Sequence, residues 1–283
     1  MKAAAFEYQR AQTLEHATQL LQQADGRTKP IGGGQSMGPM LNLRLVRPGL
    51  LVDVSGLAEM RQVAAVPEGY WIGGAITHAE IEDGRLDALL SDCPSLAHML
   101  RRVAADIAYR AIRNRGTLAG SLAHADPAAD WVLTMAALDA QLQCAGPKEK
   151  RWVAMAQFMS GAFTTALQEG ELLSGLRLPR YSSAMRWGYY KFCRKTGEFA
   201  EASCAAVFDP ELRVARIVLG ALDGAPMALQ SLAAAVAQHG LAALSDEAVS
   251  RAVAQVAPGK DAMQRQLLTA AVKRCVKQVF EVK

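Results

Sequence analysis

Long apolar runs are missing from this sequence. No stretch approaches the ~18 to 20 consecutive apolar residues that a membrane-spanning helix needs. The first residues also turn polar before the apolar core of a secretion signal could form. We therefore expect a cytoplasmic protein without a membrane span.

Clustered cysteines are missing as well. The five cysteines are an odd number and stand far apart, and the closest two are Cys193 and Cys204. This spacing excludes the C-x-x-C pair of zinc and redox sites and the closely spaced ligands of an iron–sulfur cluster. We expect most of the cysteines to be buried thiols, and we expect no metal site on this chain.

The charges form no long run of one sign. Thirty-one basic and 27 acidic residues give a net charge of +4, so the basic patch of a nucleic-acid-binding protein is not expected. Hydrophobic residues make up 51% and charged residues 20% of the chain, which is typical of an ordinary globular protein. With 283 residues, we expect more than one domain.

The apolar pattern divides the chain into three parts. The first part has strand-like segments at 3–8 and 50–54 around a helix at 13–23. In the second part, Thr77 and Glu80 have the spacing of a capping box and predict the start of a helix. After residue 179 a run of strands precedes a run of helices, which predicts the α+β class. We place the parts at 1–55, 56–179 and 180–283.

Two glycine-rich segments stand out. Residues 32–36 read GGGQS, and residues 113–130 read RNRGTLAGSLAHADPAAD. Glycine permits positive φ angles and lets backbone N–H groups approach an anion closely. The spacing departs from G-x-G-x-x-G, and no Walker lysine follows. Each segment alone is more often a plain turn, but together they indicate a pyrophosphate site and a flavin.

These segments, with YYKFCRKTGEFA at 189–200, carry a family resemblance. The chain resembles the medium, FAD-binding subunit of the molybdenum hydroxylases, a group that includes aerobic carbon monoxide dehydrogenase and the flavin domain of xanthine dehydrogenase. The resemblance covers essentially the whole chain. It implies a fold like that of vanillyl-alcohol oxidase, in which two subdomains clasp FAD, followed by a C-terminal domain of antiparallel sheet and helices.

The resemblance also implies which residues contact FAD. Residues 32–36 would wrap the pyrophosphate, Asp130 would orient the ring or the ribityl chain, Tyr189 would cover one ring face, and Lys191 would lie near the pyrimidine edge. The complete set is Ile31, Gly32, Gly33, Gly34, Gln35, Ser36, Ile107, Thr117, Leu118, Ala119, Gly120, Ser121, Asp130, Leu172, Tyr189 and Lys191. No residue is predicted to be catalytic.

Two positions depart from the family pattern. Gln35 stands where histidine is common, and its amide can still form hydrogen bonds. Ala119 replaces a glycine, which the backbone tolerates if its φ is negative. For Asp130 the alternative is a solvent-facing acid in the first turn of a helix. For Tyr189 and Lys191 the alternative is a core tyrosine beside an exposed lysine.

Three further polar positions receive structural interpretations. His124 and Asp126 are interpreted as a loop histidine and a helix-capping aspartate, with the helix running from about Pro127. His78 is interpreted as ordering a helix start beside the glycine loops. Arg113 could approach a phosphate or contact a partner subunit, as could its neighbour Arg115, and the sequence leaves both open.

The resemblance implies an electron-transfer function. In the family, a large molybdopterin subunit oxidises the substrate, and a small subunit with 2Fe–2S clusters passes the electrons to FAD, in a dimer of heterotrimers. The final acceptor and the substrate stay open. Two alternatives are a stand-alone FAD-dependent oxidoreductase of the same fold and a flavin-free interaction subunit.

Overall fold

The first unit is a small parallel sheet. The computed structural model describes residues 2–22 and 26–281. The sheet has the order β1–β3–β2, with all pairings parallel, so the carboxyl ends of its strands share one edge. The elements are β1 (Glu7–Arg10), α1 (Leu14–Gln22), β2 (Thr28–Ile31), α2 (Met37–Asn42) and β3 (Leu50–Asp53). Residues 32–36 leave the sheet at that edge.

The second unit is a five-stranded antiparallel sheet covered by helices on one face. Its strand order is β4–β5–β10–β6–β7. The elements are β4 (Val63–Val66), β5 (Gly69–Gly73), α3 (His78–Glu82), α4 (Pro94–Ala105), α5 (Arg110–Arg113), α6 (Leu118–His124), α7 (Asp130–Ala137), β6 (Gln141–Ala145), β7 (Lys150–Ala154), α8 (Met155–Phe158), β8 (Met159–Gly161), β9 (Thr164–Thr165) and β10 (Leu172–Leu178). A short 3₁₀ helix, Ala58–Arg61, joins the first two units.

The third unit is an antiparallel sheet backed by helices. Its strand order is β11–β12–β13–β14. The elements are β11 (Arg186–Phe192), β12 (Ala202–Asp209), β13 (Val214–Gly220), β14 (Met227–Ala228), α9 (Gln230–His239), α10 (Asp246–Val256) and α11 (Ala262–Phe280).

Strand β12 joins the third unit to the second. All eight of its residues are buried, and successive side chains point to opposite faces. Ala205 and Val207 belong to the core of the second unit, whereas Cys204 and Phe208 pack in the core formed with α9–α11. Both faces of this sheet are therefore buried, which fixes the third unit against the second.

The predicted α+β class is confirmed. The capping box at Thr77 and Glu80 is present at the start of α3. Strand β1 begins at Glu7 rather than near residue 3, and α6 occupies a segment for which no helix was predicted. The boundaries at residues 55 and 179 stay a prediction. Within the described residues, no helix has the length and apolarity to cross a bilayer.

Candidate functional site

A cleft of about 820 Å³ lies where the three units meet. Ligand and cofactor sites commonly have volumes of about 300–1,000 Å³. The first unit contributes residues 28–37, the second contributes segments near residues 74–78, 107–130 and 165–173, and the third contributes Lys191 and residues 197–199. The segments predicted from the glycine pattern are thus brought to one place.

The first glycine loop, residues 32–36, packs directly on the second unit. A Cβ atom at Gly33 would lie 1.9 Å from the carbonyl oxygen of Arg115, and one at Gly32 would lie 2.7 Å from Thr117 Oγ1. Gly34 has a φ of +73°, which favours glycine. The Gln35 amide donates to the Gly33 carbonyl at 3.3 Å. Glycine is therefore required here by close approach and by backbone conformation.

The backbone amides of this loop are available to a ligand. Within the described ranges, the N–H groups of residues 33–36 donate to no protein acceptor. All four residues border the cleft. Converging backbone N–H groups form an anion-binding site, so the first glycine loop has the donors that a pyrophosphate requires.

In the second glycine loop, residues 117–121, the amides of residues 118–121 are bonded within the protein, in contrast to those of the first loop. The N–H groups of Leu118 and Ala119 donate to the carbonyls of Ile76 and Gly74, both at 3.0 Å. Thr117 caps α6, since its Oγ1 accepts from the Gly120 N–H at 3.2 Å. The segment that was predicted as a loop is thus the first turn of a helix. Its contribution to the cleft is hydroxyl groups and small residues rather than free amides.

Ala119 is tolerated in place of glycine. It lies in α6 and is not among the described residues with positive φ, so its Cβ causes no backbone strain. A Cβ atom at Gly74 would lie 2.6 Å from the Ala119 methyl group, which shows that the methyl group fills the space over Gly74.

A buried ion pair lies at one end of the cleft. Lys191 Nζ is 3.0 Å from Asp130 Oδ2, and the side chains are each 6% exposed. The Tyr189 hydroxyl donates to the other oxygen of Asp130, and Lys191 also donates to the Asp106 carbonyl at 3.2 Å. Burial raises the pKa of Asp130, an effect that Lys191 and Tyr189 oppose. Burial also raises the pKa of Tyr189, which keeps its hydroxyl protonated as a donor.

His78 is buried beside the second glycine loop. The residue is 5% exposed, its Nδ1 accepts from the Trp131 indole N–H at 3.0 Å, and its backbone N–H donates to the Gly116 carbonyl at 2.9 Å. Burial, with a smaller effect from the Arg113 charge, lowers the pKa of His78 to about 4. The imidazole is therefore neutral at pH 7.

Arg113 secures the cleft wall rather than facing into the cleft. It donates to both carboxylate oxygens of Glu82, at 2.7 and 3.0 Å, and to the carbonyls of Ile107 and Ala108. Both carbonyls belong to a turn that borders the cleft. The phosphate alternative for Arg113 is thereby disfavoured, since four of its five N–H donors are already used and the residue does not border the cleft.

Asp126 and His124 carry no shared chemistry. Asp126 Oδ1 accepts from the Ala128 N–H at 2.9 Å and makes a turn, while α7 begins at Asp130 after Ala129. The prediction of a helix capped by Asp126 is therefore wrong. The His124 ring packs on Phe163 with 5.2 Å between ring centroids.

Most of the predicted contact residues border the cleft. The set comprises Ile31, Gly32, Gly33, Gly34, Gln35, Ser36, Ile107, Thr117, Ala119, Gly120, Ser121, Asp130, Leu172 and Lys191. Leu118 and Tyr189 do not: Leu118 is 1% exposed and Tyr189 is 2% exposed. Tyr189 lies behind Asp130, which disagrees with the prediction that it covers a ring face.

Sequence reasoning missed several parts of the cleft wall. Residues 167–171 and Tyr109 border it, although no motif marks them. Thr28 also borders it, and its buried hydroxyl has no partner among the described residues. Such an unsatisfied hydroxyl at a cleft wall is explained if a bound group supplies its hydrogen bond.

Comparison with known proteins identifies the family. The family described as "FAD binding domain in molybdopterin dehydrogenase" matches residues 4–181. The chain belongs to the FAD-binding subunits of the molybdenum hydroxylases. It is 30% identical to the caffeine dehydrogenase subunit beta of Pseudomonas sp. strain CBB1 over 236 residues, which cover 82% of this chain and 78% of that protein.

Solved structures agree over the whole length. Quinoline 2-oxidoreductase from Pseudomonas putida 86 superimposes with a TM-score of 0.84 at 28% identity, covering 99% of this chain and 98% of that chain. Carbon monoxide dehydrogenase from Hydrogenophaga pseudoflava superimposes with a TM-score of 0.87 at 27% identity, covering 99% of both chains. The two-subdomain FAD-binding fold followed by a C-terminal α+β domain is thereby confirmed.

The cleft fits the cofactor of this family, FAD. The free amides of residues 33–36 suit an anionic pyrophosphate. Gly32 and Gly33 let the first glycine loop pack directly on residues 115–117 of the second unit, and Thr28 offers an unpartnered hydroxyl at the cleft wall. The family makes this chain a subunit of an oxidoreductase complex.

Proposed function

We propose that this chain is the FAD-carrying electron relay of a molybdenum hydroxylase complex. It takes electrons from 2Fe–2S clusters on a partner subunit and passes them to an external acceptor. The observation that carries the proposal is the cleft itself. Free loop amides lie in one of its walls, and the buried Asp130–Lys191 pair lies in another.

The residues of this chain bind and orient the cofactor. The amides of residues 33–36 hold the pyrophosphate, and the hydroxyls of Thr117 and Ser121 donate to its oxygens or to the ribityl chain. Asp130 and Lys191 face the ring end, where FAD, when bound, exchanges electrons. The Lys191 ammonium favours the negative charge that reduction adds, and Asp130 limits the effect because the pair is neutral overall.

Tyr189 supports Asp130 at the ring end of the cleft and does not itself contact the ring. Its hydroxyl donates to Asp130 and holds that carboxylate in place without bordering the cleft. We therefore assign Tyr189 a positioning role instead of the ring-covering role expected from the family resemblance.

Partner subunits complete the proposal. The related proteins include chains named as medium subunits or medium chains, such as that of nicotine 6-hydroxylase from Paenarthrobacter nicotinovorans. We propose a large molybdopterin subunit and a small 2Fe–2S subunit as partners, assembled as a cytoplasmic dimer of heterotrimers. Native mass spectrometry of the complex purified from its source, with cell fractionation, tests the stoichiometry and the location.

A reduction experiment tests the relay. The FAD-loaded chain alone is mixed anaerobically with the substrate of the complex, and the flavin absorbance near ~450 nm is followed; the mixture is then repeated with the whole complex. We expect bleaching only with the whole complex. Bleaching of the isolated chain by substrate would support a stand-alone oxidoreductase, and failure of the chain to bind FAD would support a flavin-free interaction subunit.

A further inference from the structure

The imidazole of His78 has one nitrogen with a partner and one without. The Trp131 indole N–H can only donate, so His78 Nδ1 must accept and carries no proton. In a neutral ring the proton is then on Nε2. Within the described residues no acceptor receives this Nε2–H, although His78 as a whole is 5% exposed and borders the cleft.

The unpartnered nitrogen lies where the two glycine loops meet. A Cβ atom at Gly33 would lie 2.7 Å from the Gly116 Cα, and a Cβ atom at Gly116 would lie 2.7 Å from His78 Nε2. Gly116 therefore packs against Gly33 on one side and against the His78 imidazole on the other. Residues 33–36, with their free amides, and His78 both border the cleft, and Gly116 is in contact with both segments.

We propose that His78 is a cofactor-binding residue whose Nε2–H donates to an oxygen of the FAD pyrophosphate. The bond from Trp131 fixes the tautomer, and the bond from the His78 backbone N–H to the Gly116 carbonyl holds the start of α3 beside the second glycine loop. Arg113 does not border the cleft, and Glu82 and two carbonyls occupy four of its five N–H donors. A neutral histidine, rather than Arg113, supplies a side-chain donor to the anion site.

The neutral state of His78 fits this role. Its pKa of about 4 keeps the ring uncharged at pH 7, so the donor does not depend on protonation. His78 Nε2 is not among the fully buried atoms that lack a partner, so the cleft leaves it accessible, and a pyrophosphate oxygen can accept its hydrogen bond. The inference concerns FAD binding only and does not depend on the direction of electron flow.

Two substitutions at His78 separate donation from packing. His78→Asn keeps an acceptor near the Nδ1 position for Trp131 but loses the donor at Nε2. His78→Gln places an amide N–H near the Nε2 position but loses the acceptor for Trp131. A purely structural His78 predicts that the Asn variant is the milder one, whereas a pyrophosphate donor predicts the reverse for FAD affinity.

The measurement is the dissociation constant of FAD for the full-length apo-chain, obtained from quenching of flavin fluorescence. We expect His78→Asn to weaken binding about 10–100-fold, the effect of losing a hydrogen bond to a charged group, and His78→Gln to stay within about threefold because its amide replaces the donor. Normal FAD affinity in the Asn variant with loss in the Gln variant overturns the proposal. Wild-type chain that fails to bind FAD contradicts the relay instead, so the two failures are distinguishable.

ADP and NMR locate the contact. ADP carries a pyrophosphate but no flavin, so His78→Asn should weaken ADP and FAD by the same factor; unchanged ADP affinity overturns the assignment to pyrophosphate. In the wild-type chain, FAD should shift the His78 Nε2–H proton resonance and slow its exchange with water. An unshifted resonance in the FAD-saturated protein overturns the proposal without any variant.

Discussion

Gly33 packs its Cα against the backbone of the second unit, with no room for a side chain. Gly33→Ala would place a methyl group 1.9 Å from the Arg115 carbonyl oxygen, and neither backbone can retreat as a flexible side chain would. We expect the variant to lose on the order of 2–3 kcal/mol of unfolding free energy, at the upper end for overpacking, and to bind FAD more weakly. Denaturant unfolding and FAD titration measure both effects.

Gly38→Ala is the matched control for Gly33→Ala. Gly38 lies five residues further on, in α2, and a Cβ atom there would meet nothing within 4 Å. Alanine in a helix is favoured over glycine by roughly 0.5–1 kcal/mol, so this variant should be neutral or more stable. Equal destabilisation of the two variants would contradict the close approach of the glycine loops.

His78 makes stability depend on pH. Its folded-state pKa of about 4 lies below the ordinary value of 6.5, so the unfolded chain binds the proton more readily between these values. The stabilisation is fully present above pH 6.5 and is lost as the pH falls through 4, to a total of about 3 kcal/mol. Unfolding of the apo-chain between pH 7 and 4, compared with His78→Gln, measures this difference. A parallel decline in both proteins would contradict the prediction.

Charged residues that are far apart in the sequence join helix α7 to strand β11 beside the cleft. The first turn of α7 carries Asp130, and β11 carries Tyr189 and Lys191. Lys191→Met leaves the Asp130 carboxylate buried without its partner, which typically costs about 3–5 kcal/mol. Replacing both, as Asp130→Asn with Lys191→Met, should recover part of that loss because no buried charge is left.

An exposed ion pair serves as the control for these variants. Arg101 on α4 contacts Asp87 at 2.8 Å, with side chains 45% and 44% exposed. Arg101→Met should cost about 0.2–1 kcal/mol, the usual value for exposed pairs. A Lys191→Met variant that loses no more than Arg101→Met would show that the buried pair does not hold α7 to β11.

Elements with a clear apolar pattern were predictable from the sequence, and contacts between distant elements were not. In the run of strands expected after residue 179, β13 (Val214–Gly220) is a short, nearly continuous apolar segment, which is typical of a buried strand. Helix α6 was missed because its small and hydroxylated residues resemble a loop, although Thr117 three residues before Gly120 was a capping signal.

In the candidate site, too, local patterns were predictable from the sequence and contacts between distant elements were not. The glycine loops were found from local composition, and the family resemblance supplied Asp130 and Lys191. Tyr189 was misplaced because its contact with Asp130 spans 59 residues, and only the packing of β11 on α7 decides which way its side chain points. Thr28 and residues 167–171 carry no local signal, so tertiary structure alone reveals them.

The cleft involves the molecule as a whole, because each of the three units supplies part of its wall. A ligand bound in the cleft contacts segments that are distant in sequence. It stabilises the conformations in which these segments stay together relative to those in which they separate. Local opening of such segments is measured by amide hydrogen exchange. Ligand binding should therefore slow exchange in all three units rather than in one loop.

We expect FAD to protect the segments at residues 32–37, 74–78, 165–173 and 197–199, with helix α11 as the internal control. Residues 262–280 do not border the cleft, so their exchange should change least. Hydrogen-exchange mass spectrometry of the full-length chain with and without saturating FAD measures the pattern. Protection confined to residues 32–37 would mean that FAD binds one loop without closing the three units on it. Protection in all three units would show that FAD acts as a structural link between them. Loss of FAD would then loosen the contact of the third unit with the other two.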